Sequence, residues 1–271
     1  MDEATINVDA LAGPASVPRS SDRLAGKVCL VTGGGSGIGR ATALRMALES
    51  ASAVVIAGRN PDKGEAVAEE VRAKGTECVF TAADVTREAD VAEWVAATLR
   101  RFGRLDAVFN NAGFQEQRAP LAEQDDATYA RVFDTNVRAL FHGLRHQIPA
   151  MLAGRGGAIV NNASVSGVRN PNPGLSLYSA SKAAAISLTR SAAMEYAPQG
   201  VRINAVAPGR VVTGMMMASG IADMTQVAAG LPLRRMGRPE EVAAAVCWLL
   251  SDEASYIVGH VLCADGGFLA G

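Results

Sequence analysis

Seven short runs of apolar residues recur along the chain, and each is separated from the next by a longer segment. They read KVCLVT at 27–32, AVVIA at 53–57, ECVF at 77–80, LDAVFN at 105–110, AIVNN at 158–162, VRINAV at 201–206 and HVLCA at 260–264. The runs are continuous rather than alternating, which marks strands covered on both faces. Helical candidates fill the gaps at about 38–50, 62–74, 88–102, 126–152, 177–197 and 239–250. In the fourth, Val132, Phe133, Val137, Leu140, Phe141, Leu144, Ile148 and Met151 recur at helical spacing. Strands and helices in alternation give right-handed crossovers, so the chain is predicted to be α/β: a doubly wound, seven-stranded parallel sheet with helices on both faces, in a single domain over 25–271. The rhythm breaks at 211–238, which reads as an excursion forming a lid. Residues 1–24, with the Pro- and Ser-rich stretch LAGPASVPRSSDR, read as a flexible arm, disordered or packed on a neighbouring subunit.

Composition removes several classes of function. Lys+Arg (26) and Asp+Glu (27) nearly cancel to a net charge of −1, without the basic footprint of a nucleic-acid binder. No apolar run is long enough to span a bilayer, and the first ten residues lack a charged segment followed by an apolar one, so a cytoplasmic protein is expected. Cys29, Cys78, Cys247 and Cys263 form no C-x-x-C pair and read as buried, reduced thiols. His142 and His146 stand one helical turn apart, but no third ligand accompanies them, so no metal is expected.

The loop after the first run is TGGGSGIGR, residues 32–40. It does not match G-x-G-x-x-G in any register; T-G-x-x-x-G-x-G describes it, with Thr32, Gly33, Gly37 and Gly39, and with Ser36 and Ile38 between. Glycines between a first strand and a first helix let backbone N–H groups approach a pyrophosphate, and the helix N-terminus adds its partial positive charge. A Rossmann-like dinucleotide site is expected. About 20 residues on, a carboxylate would accept from the ribose 2′-OH of NAD. The chain has Gly58 and Arg59 there, which removes the repulsion of a 2′-phosphate and offers it a guanidinium. NADP(H) is therefore favoured, with NAD(H) possible.

Tyr178 and Lys182 lie four apart and so on one helix face. A phenol of reference pKa about 10 is a poor acid–base group at neutral pH. A neighbouring ammonium favours the phenolate, and Tyr178 is expected to be lowered toward use in proton transfer. Ser164 follows the fifth strand, where an α/β sheet places its ligands, and its hydroxyl could steady charge on a reacting oxygen. Ser166 competes for that role two residues on, and spacing to Tyr178 does not choose between them.

Taken in order, TGGGSGIG at 32–39, ADV at 83–85, NNAG at 110–113, TNV at 135–137, AS at 163–164, YSASK at 178–182, PG at 208–209 and DGG at 265–267 resemble the short-chain dehydrogenase/reductase family over about residues 24–267. The resemblance implies hydride transfer between a nicotinamide and a carbonyl or secondary alcohol. Asn136, Ser164, Tyr178 and Lys182 match the family's catalytic positions, and the AS after the strand end favours Ser164 over Ser166. In the family, the residue matching Asn136 helps hold a water that links the lysine to solvent. Asp84 resembles the acid beside the adenine amino group, with Val85 next to the ring. Asn110 resembles the residue facing the adenosine ribose, with Ala112 and Gly113 lining the same channel. Pro208, Gly209 and Val211 match positions against the nicotinamide, with Thr213 near its carboxamide or the phosphates. Asp265-Gly266-Gly267 reads as a structural turn. The strand end VNNAS departs from the commoner I-S-S form, and no reacting group is lost.

A substrate pocket is expected from Phe114, Gln115, Val165, Ser166, Arg210 and the lid, with Met215–Met217 as either pocket wall or lid packing. The resemblance also implies a homotetramer acting on a small molecule. Two other readings stand beside the NADP(H)-dependent carbonyl reductase: an NAD-dependent alcohol or sugar dehydrogenase, and a non-enzymatic dinucleotide-binding redox sensor.

Overall fold

The computed structural model describes residues 8–13, 22–170 and 172–271. Seven strands, β1 Val28–Thr32, β2 Ala53–Gly58, β3 Glu77–Ala82, β4 Ala107–Asn110, β5 Gly157–Asn162, β6 Val201–Pro208 and β7 Val261–Ala264, form one sheet in the order β3-β2-β1-β4-β5-β6-β7. Every pairing is parallel. The helices are α1 Val8–Ala12, α2 Gly37–Leu48, α3 Pro61–Arg72, α4 Glu88–Phe102, α5 Asp126–Phe133, α6 Ala139–Leu152, α7 Val165–Val168, α8 Ser176–Tyr196, α9 Gly214–Met217, α10 Met224–Gly230 and α11 Pro239–Leu250.

The period-two geometry of the strands divides the core in two. Cys29 and Val31 of β1 face one cluster, with Val54, Ile56, Phe109 and Val160, under α2, α3 and α11. Leu30 faces the other, with Val55, Val108, Ile159 and Ile203, under α4, α6 and α8. Both faces are therefore apolar, which is why the runs carry no polar alternation. The chain leaves β1 outward to β3 and returns to β4 beside β1. This reversal opens a crevice at the carboxyl ends of β1 and β4, the usual ligand site of such sheets.

Three features differ from the sequence expectations. The single helix expected over 126–152 is two helices joined by a π-helical turn, Asp134–Arg138. Such turns cluster at functional sites, and this one carries Asn136. Cys263 is exposed rather than buried, because β7 is the edge strand. Within the expected arm, α1 packs on the lid of its own chain. Ala12 is buried with Val212, Ala228, Leu231 and Met236, and the Met236 N–H donates to the Leu11 carbonyl at 2.9 Å. Residues 1–7 and 14–21 of the arm lie outside the described residues. The lid holds two short helices, α9 and α10, and a parallel bridge between Val211 and Gly237 closes its base.

Candidate active site

The glycine loop is shaped by contacts that only glycine permits. Gly33 and Gly37 have φ of +62° and +50°, the left-handed region. A Cβ on Gly39 would lie 2.3 Å from the Gly33 carbonyl oxygen and 2.6 Å from Nδ2 of Asn111. The loop is thus pressed against the end of β4, and α2 begins at Gly37 with its first N–H groups toward the crevice. Thr32 fastens the far wall: its Oγ1 accepts from the N–H groups of Asn111 (2.8 Å) and Ala112 (2.9 Å). Asn111 Nδ2 donates to the Thr32 and Gly33 carbonyls at 2.9 and 3.2 Å, and its Oδ1 accepts from Asn162 at 2.9 Å.

Asn110, which its motif implies would face the ribose, is bonded within the sheet. Its side chain exchanges hydrogen bonds with Gln147 (2.9 and 2.8 Å) and donates to Asn161 (3.0 Å), tying β4 to β5 and α6. At the ends of β2 and β3 the surface is open. Arg59 is exposed, while Asp84 accepts both the N–H (3.0 Å) and hydroxyl (2.8 Å) of Thr86. The hydrogen bonds from Thr86, with the nearby charges of Arg59 and Arg87, hold the Asp84 carboxyl below its usual range.

The reacting end is buried. Lys182 is 3% exposed, and its Nζ donates to the Asn162 carbonyl at 2.7 Å. Burial lowers its pKa to about 8. Its Nζ stands 5.7 Å from the centre of the Tyr178 ring, one helical turn away on α8. Tyr178 and Ser164 line one cavity, with the serine near enough to the phenol to oppose the rise in its pKa. Ser164 caps α7, its Oγ accepting from the Ser166 N–H at 3.1 Å, while the Ser166 hydroxyl accepts from Asn172 at 3.0 Å. Geometry therefore separates the two serines: Ser164 meets the phenol and Ser166 meets the loop before α8.

The phenol differs from expectation in sign. Burial raises the Tyr178 pKa, and the charge of Glu116 raises it further. The opposing influences are the Ser164 side chain and the guanidinium of Arg210, not Lys182. The physical reason is that desolvation outweighs the nearby cations.

Asn136 is fully committed. Its Oδ1 accepts from the Phe114 N–H, its Nδ2 donates to the Phe114 carbonyl, each at 2.8 Å, and Nδ2 also reaches Ser181 Oγ at 2.9 Å. The π-helical turn presents it to the 111–116 loop. A small space of about 20 Å³, enough for about one water, adjoins Asn136, Lys182, Asn110, Asn162 and Val85. Asn162 Oδ1 is a buried acceptor without a partner among the described residues, and Asn162 lines both this space and an adjoining cavity.

That adjoining cavity, about 110 Å³, is lined by Ile38, Gln115, Ser164, Val165, Ser166, Tyr178, Pro208, Gly209, Arg210, Val211, Thr213, Met215 and Met216. Phe114 is not in this wall. Its ring lies under the Arg131 guanidinium at 4.0 Å, because its backbone is held by Asn136. The methionines divide: Met215 and Met216 line the cavity, while Met216 and Met217 also pack on the lid core. Gly209 is required where it stands, since a Cβ would lie 2.8 Å from Asp265 Cα. Asp265 itself accepts from the Gly267 (3.0 Å) and Leu269 (2.9 Å) N–H groups, a structural turn as expected. Thr213 Oγ1 accepts from the Met216 N–H at 3.2 Å, so its hydroxyl proton stays free to donate into the cavity.

Sequence reasoning did not assign Asn111, Asn162, Glu116 or Asn172 to the site. Glu116 is 3% exposed, and its Oε1 caps the start of α8 by accepting the Tyr178 N–H at 3.0 Å. The paired asparagines that end two otherwise apolar strands were the visible signal for Asn111 and Asn162. Nothing in the sequence points to Glu116 or Asn172.

The histidines serve other ends. His146 Nε2 pairs with Glu88 at 3.2 Å and His142 is buried in α6. Among the described residues no group of three potential ligands could hold a metal, and no helix is long and apolar enough to cross a membrane.

The site accommodates a dinucleotide. A glycine cradle that any Cβ would fill, a helix N-terminus beyond it, and an unpartnered buried amide oxygen beside Lys182 all face one continuous crevice. Comparisons with known proteins agree. Residues 33–269 match the family model described as enoyl-(acyl carrier protein) reductase. The A-factor type gamma-butyrolactone 1'-reductase (1S-forming) of Streptomyces virginiae is 41% identical over 250 residues, 90% of this chain and 96% of that one. The crystal structure of levodione reductase superposes with a TM-score of 0.88 at 38% identity, covering 92% of this chain and 99% of that one. That of NAD+-bound xylitol dehydrogenase does so with a TM-score of 0.85 at 38% identity, covering 90% and 100%. With the fold, the glycine cradle and these likenesses in agreement, the chain belongs to the short-chain dehydrogenase/reductase family of NAD(P)-dependent oxidoreductases.

Proposed function

We propose that the protein reduces a carbonyl compound to a secondary alcohol with NADP(H), and oxidises the alcohol in reverse, with Tyr178 moving the proton. The observation that carries this reading is the Ser164–Tyr178 hydroxyl pair, set in the wall of a cavity with buried Lys182 behind it. When bound, the nicotinamide supplies or accepts the hydride at the carbonyl carbon. The loop 33–39 and the first N–H groups of α2 hold the pyrophosphate. Arg59 meets the 2′-phosphate. Ser164 donates to the carbonyl oxygen and orients it, and Tyr178 delivers its proton to the same oxygen. Lys182 positions the ribose, and the water-sized space beside Asn136 gives the replacement proton a route toward solvent.

Because burial holds the phenol protonated above the ordinary tyrosine value, the resting site is set as an acid, the state that reduction requires. Both relatives named as reductases support that direction. Ketone reduction is expected to fall, and alcohol oxidation to rise, as pH climbs through the alkaline range. Tyr178→Phe removes the transferable proton and leaves the cavity in place. Turnover is expected to fall by a factor on the order of 10³ or more, with NADPH affinity within about twofold of wild type. Substantial turnover by the folded variant overturns the mechanism.

A second reading, NAD-dependent oxidation of an alcohol or sugar, draws support from the likeness to NAD+-bound xylitol dehydrogenase. Steady-state rates with each coenzyme separate it from the first. A homotetramer remains part of the proposal, supported by the exposed Phe141 of α6 and Met194 of α8.

A further inference from the structure

Arg210 sits in the cavity wall with Tyr178, Ser164, Ser166 and Asn172. It is half-buried, donates Nη2 to Asn172 Oδ1, and lies 5.7 Å from the centre of the Phe268 ring. Asn172 in turn donates to buried Ser166. No carboxylate pairs with Arg210 among the described residues. The charged groups close enough to influence it are a second arginine, Arg118, and the phenol. Arg118 is also without an acid partner among the described residues. Its Nη1 donates to the Pro173 carbonyl at 2.8 Å and its Nε is buried without a partner. Buried Glu116 turns one oxygen to the Tyr178 backbone, leaves the other without a partner among the described residues, and is not in ion-pair contact with either arginine. One guanidinium in the wall of a small, partly desolvated cavity, and a second near enough to add to its field, thus stand without an anion to stabilise them among the described residues.

We propose that the substrate of this site is an oxo acid: its ketone meets Ser164 and Tyr178, and its carboxylate is held by Arg210, with Asn172 fixing the guanidinium plane and Arg118 adding to the local positive field. A guanidinium fork matches a carboxylate two bonds at a time, and desolvation strengthens the match. The inference rests on the hydride-transfer reading above and narrows its substrate class.

The test uses acetoacetate, levulinate and benzoylformate, each beside its methyl ester, with NADPH and NADH both supplied. For at least one pair kcat/KM is expected to favour the acid by tenfold or more. Arg210→Met is expected to lower the acid-over-ester ratio of kcat/KM about 100-fold, and Arg210→Lys to recover part of the loss. Esters turned over as well as acids, or an Arg210→Met loss equal for both, would overturn the oxo-acid assignment and leave hydride transfer standing. Calorimetry with pentanoate on the NADPH-loaded protein covers the remaining case. Pentanoate bound by wild type but not by Arg210→Met, with no turnover of any ketone, keeps the carboxylate subsite and sinks the hydride-transfer reading. Neither binding nor turnover sinks both.

Discussion

The two ends of the crevice are built from different materials. Where β5, β6 and α8 meet, the candidate groups are side chains, buried and tied into the protein: Ser164 beside Tyr178, Lys182 on the Asn162 carbonyl, Asn136 on the Phe114 backbone and Ser181. Where β1 to β3 end, they are backbone N–H groups in a glycine cradle and one exposed arginine, Arg59. The first arrangement tolerates little because every member holds another. The second is exacting in its backbone and permissive in its outer charge. The proposed function puts chemistry at one end and coenzyme choice at the other, and the Thr32–Asn111–Asn162 bracket holds the two ends together.

That contrast can be broken most forcefully in the cradle. Gly39→Ala places a methyl where 2.3 Å separates it from a backbone oxygen that cannot swing aside. Coenzyme affinity is expected to fall by about 100-fold or more, measured by fluorescence titration, with the melting temperature monitored to separate misfolding from lost binding. Near-normal affinity would mean that the loop relaxes and that its backbone is not the exacting element.

A smaller effect is expected at the permissive charge. Gly58→Asp with Arg59→Ile replaces an attraction for a 2′-phosphate by a repulsion. The ratio of kcat/KM for NADPH over NADH is expected to drop by tens-fold, with kcat on the preferred coenzyme little altered. An unchanged ratio would show that a different residue reads the phosphate.

The smallest effect sharpens the buried end. Lys182 has its pKa lowered to about 8 by burial from an ordinary 10.5. Below about pH 8 the lysine is charged in folded and unfolded chains alike, and the folded state bears the full cost of burying that charge. Between about 8 and 10.5 the folded chain binds fewer protons than the unfolded one, so stability rises with pH across that window. Lys182→Met removes the cost and also the donor to the Asn162 carbonyl. It is expected to abolish turnover yet stabilise the fold by on the order of 1 kcal/mol at neutral pH, the advantage vanishing toward about pH 10. Urea unfolding at both pH values measures it. A destabilised variant would mean that the hydrogen bond outweighs desolvation.

The sheet was legible because burial on both faces leaves a local signature, the unbroken Val- and Ile-rich runs. The candidate reacting set could be named from sequence because its residues sit in short motifs whose order is specific. What stayed hidden depends on long-range contact. The π-helical turn in 134–138 has no signature in hydrophobic period, since Val132, Val137 and Leu140 read as one helix across it. Glu116 reaches the start of α8 from a loop sixty-two residues earlier. Phe114 resembles a pocket residue by position, but Asn136 turns its backbone and Arg131 takes its ring. The sign of the Tyr178 shift was missed because a Y-x-x-x-K spacing shows the neighbouring cation and not the depth of burial.

The bridge between Val211 and Gly237 lets the lid behave as a cassette. Its two ends are clasped at the sheet, and lengthening a clasped loop costs only about 0.6 kcal/mol per doubling. The segment between can therefore change length and composition without the strands registering it. In such an arrangement the segment beside the cavity is free to drift, while the strands beneath it stay in register.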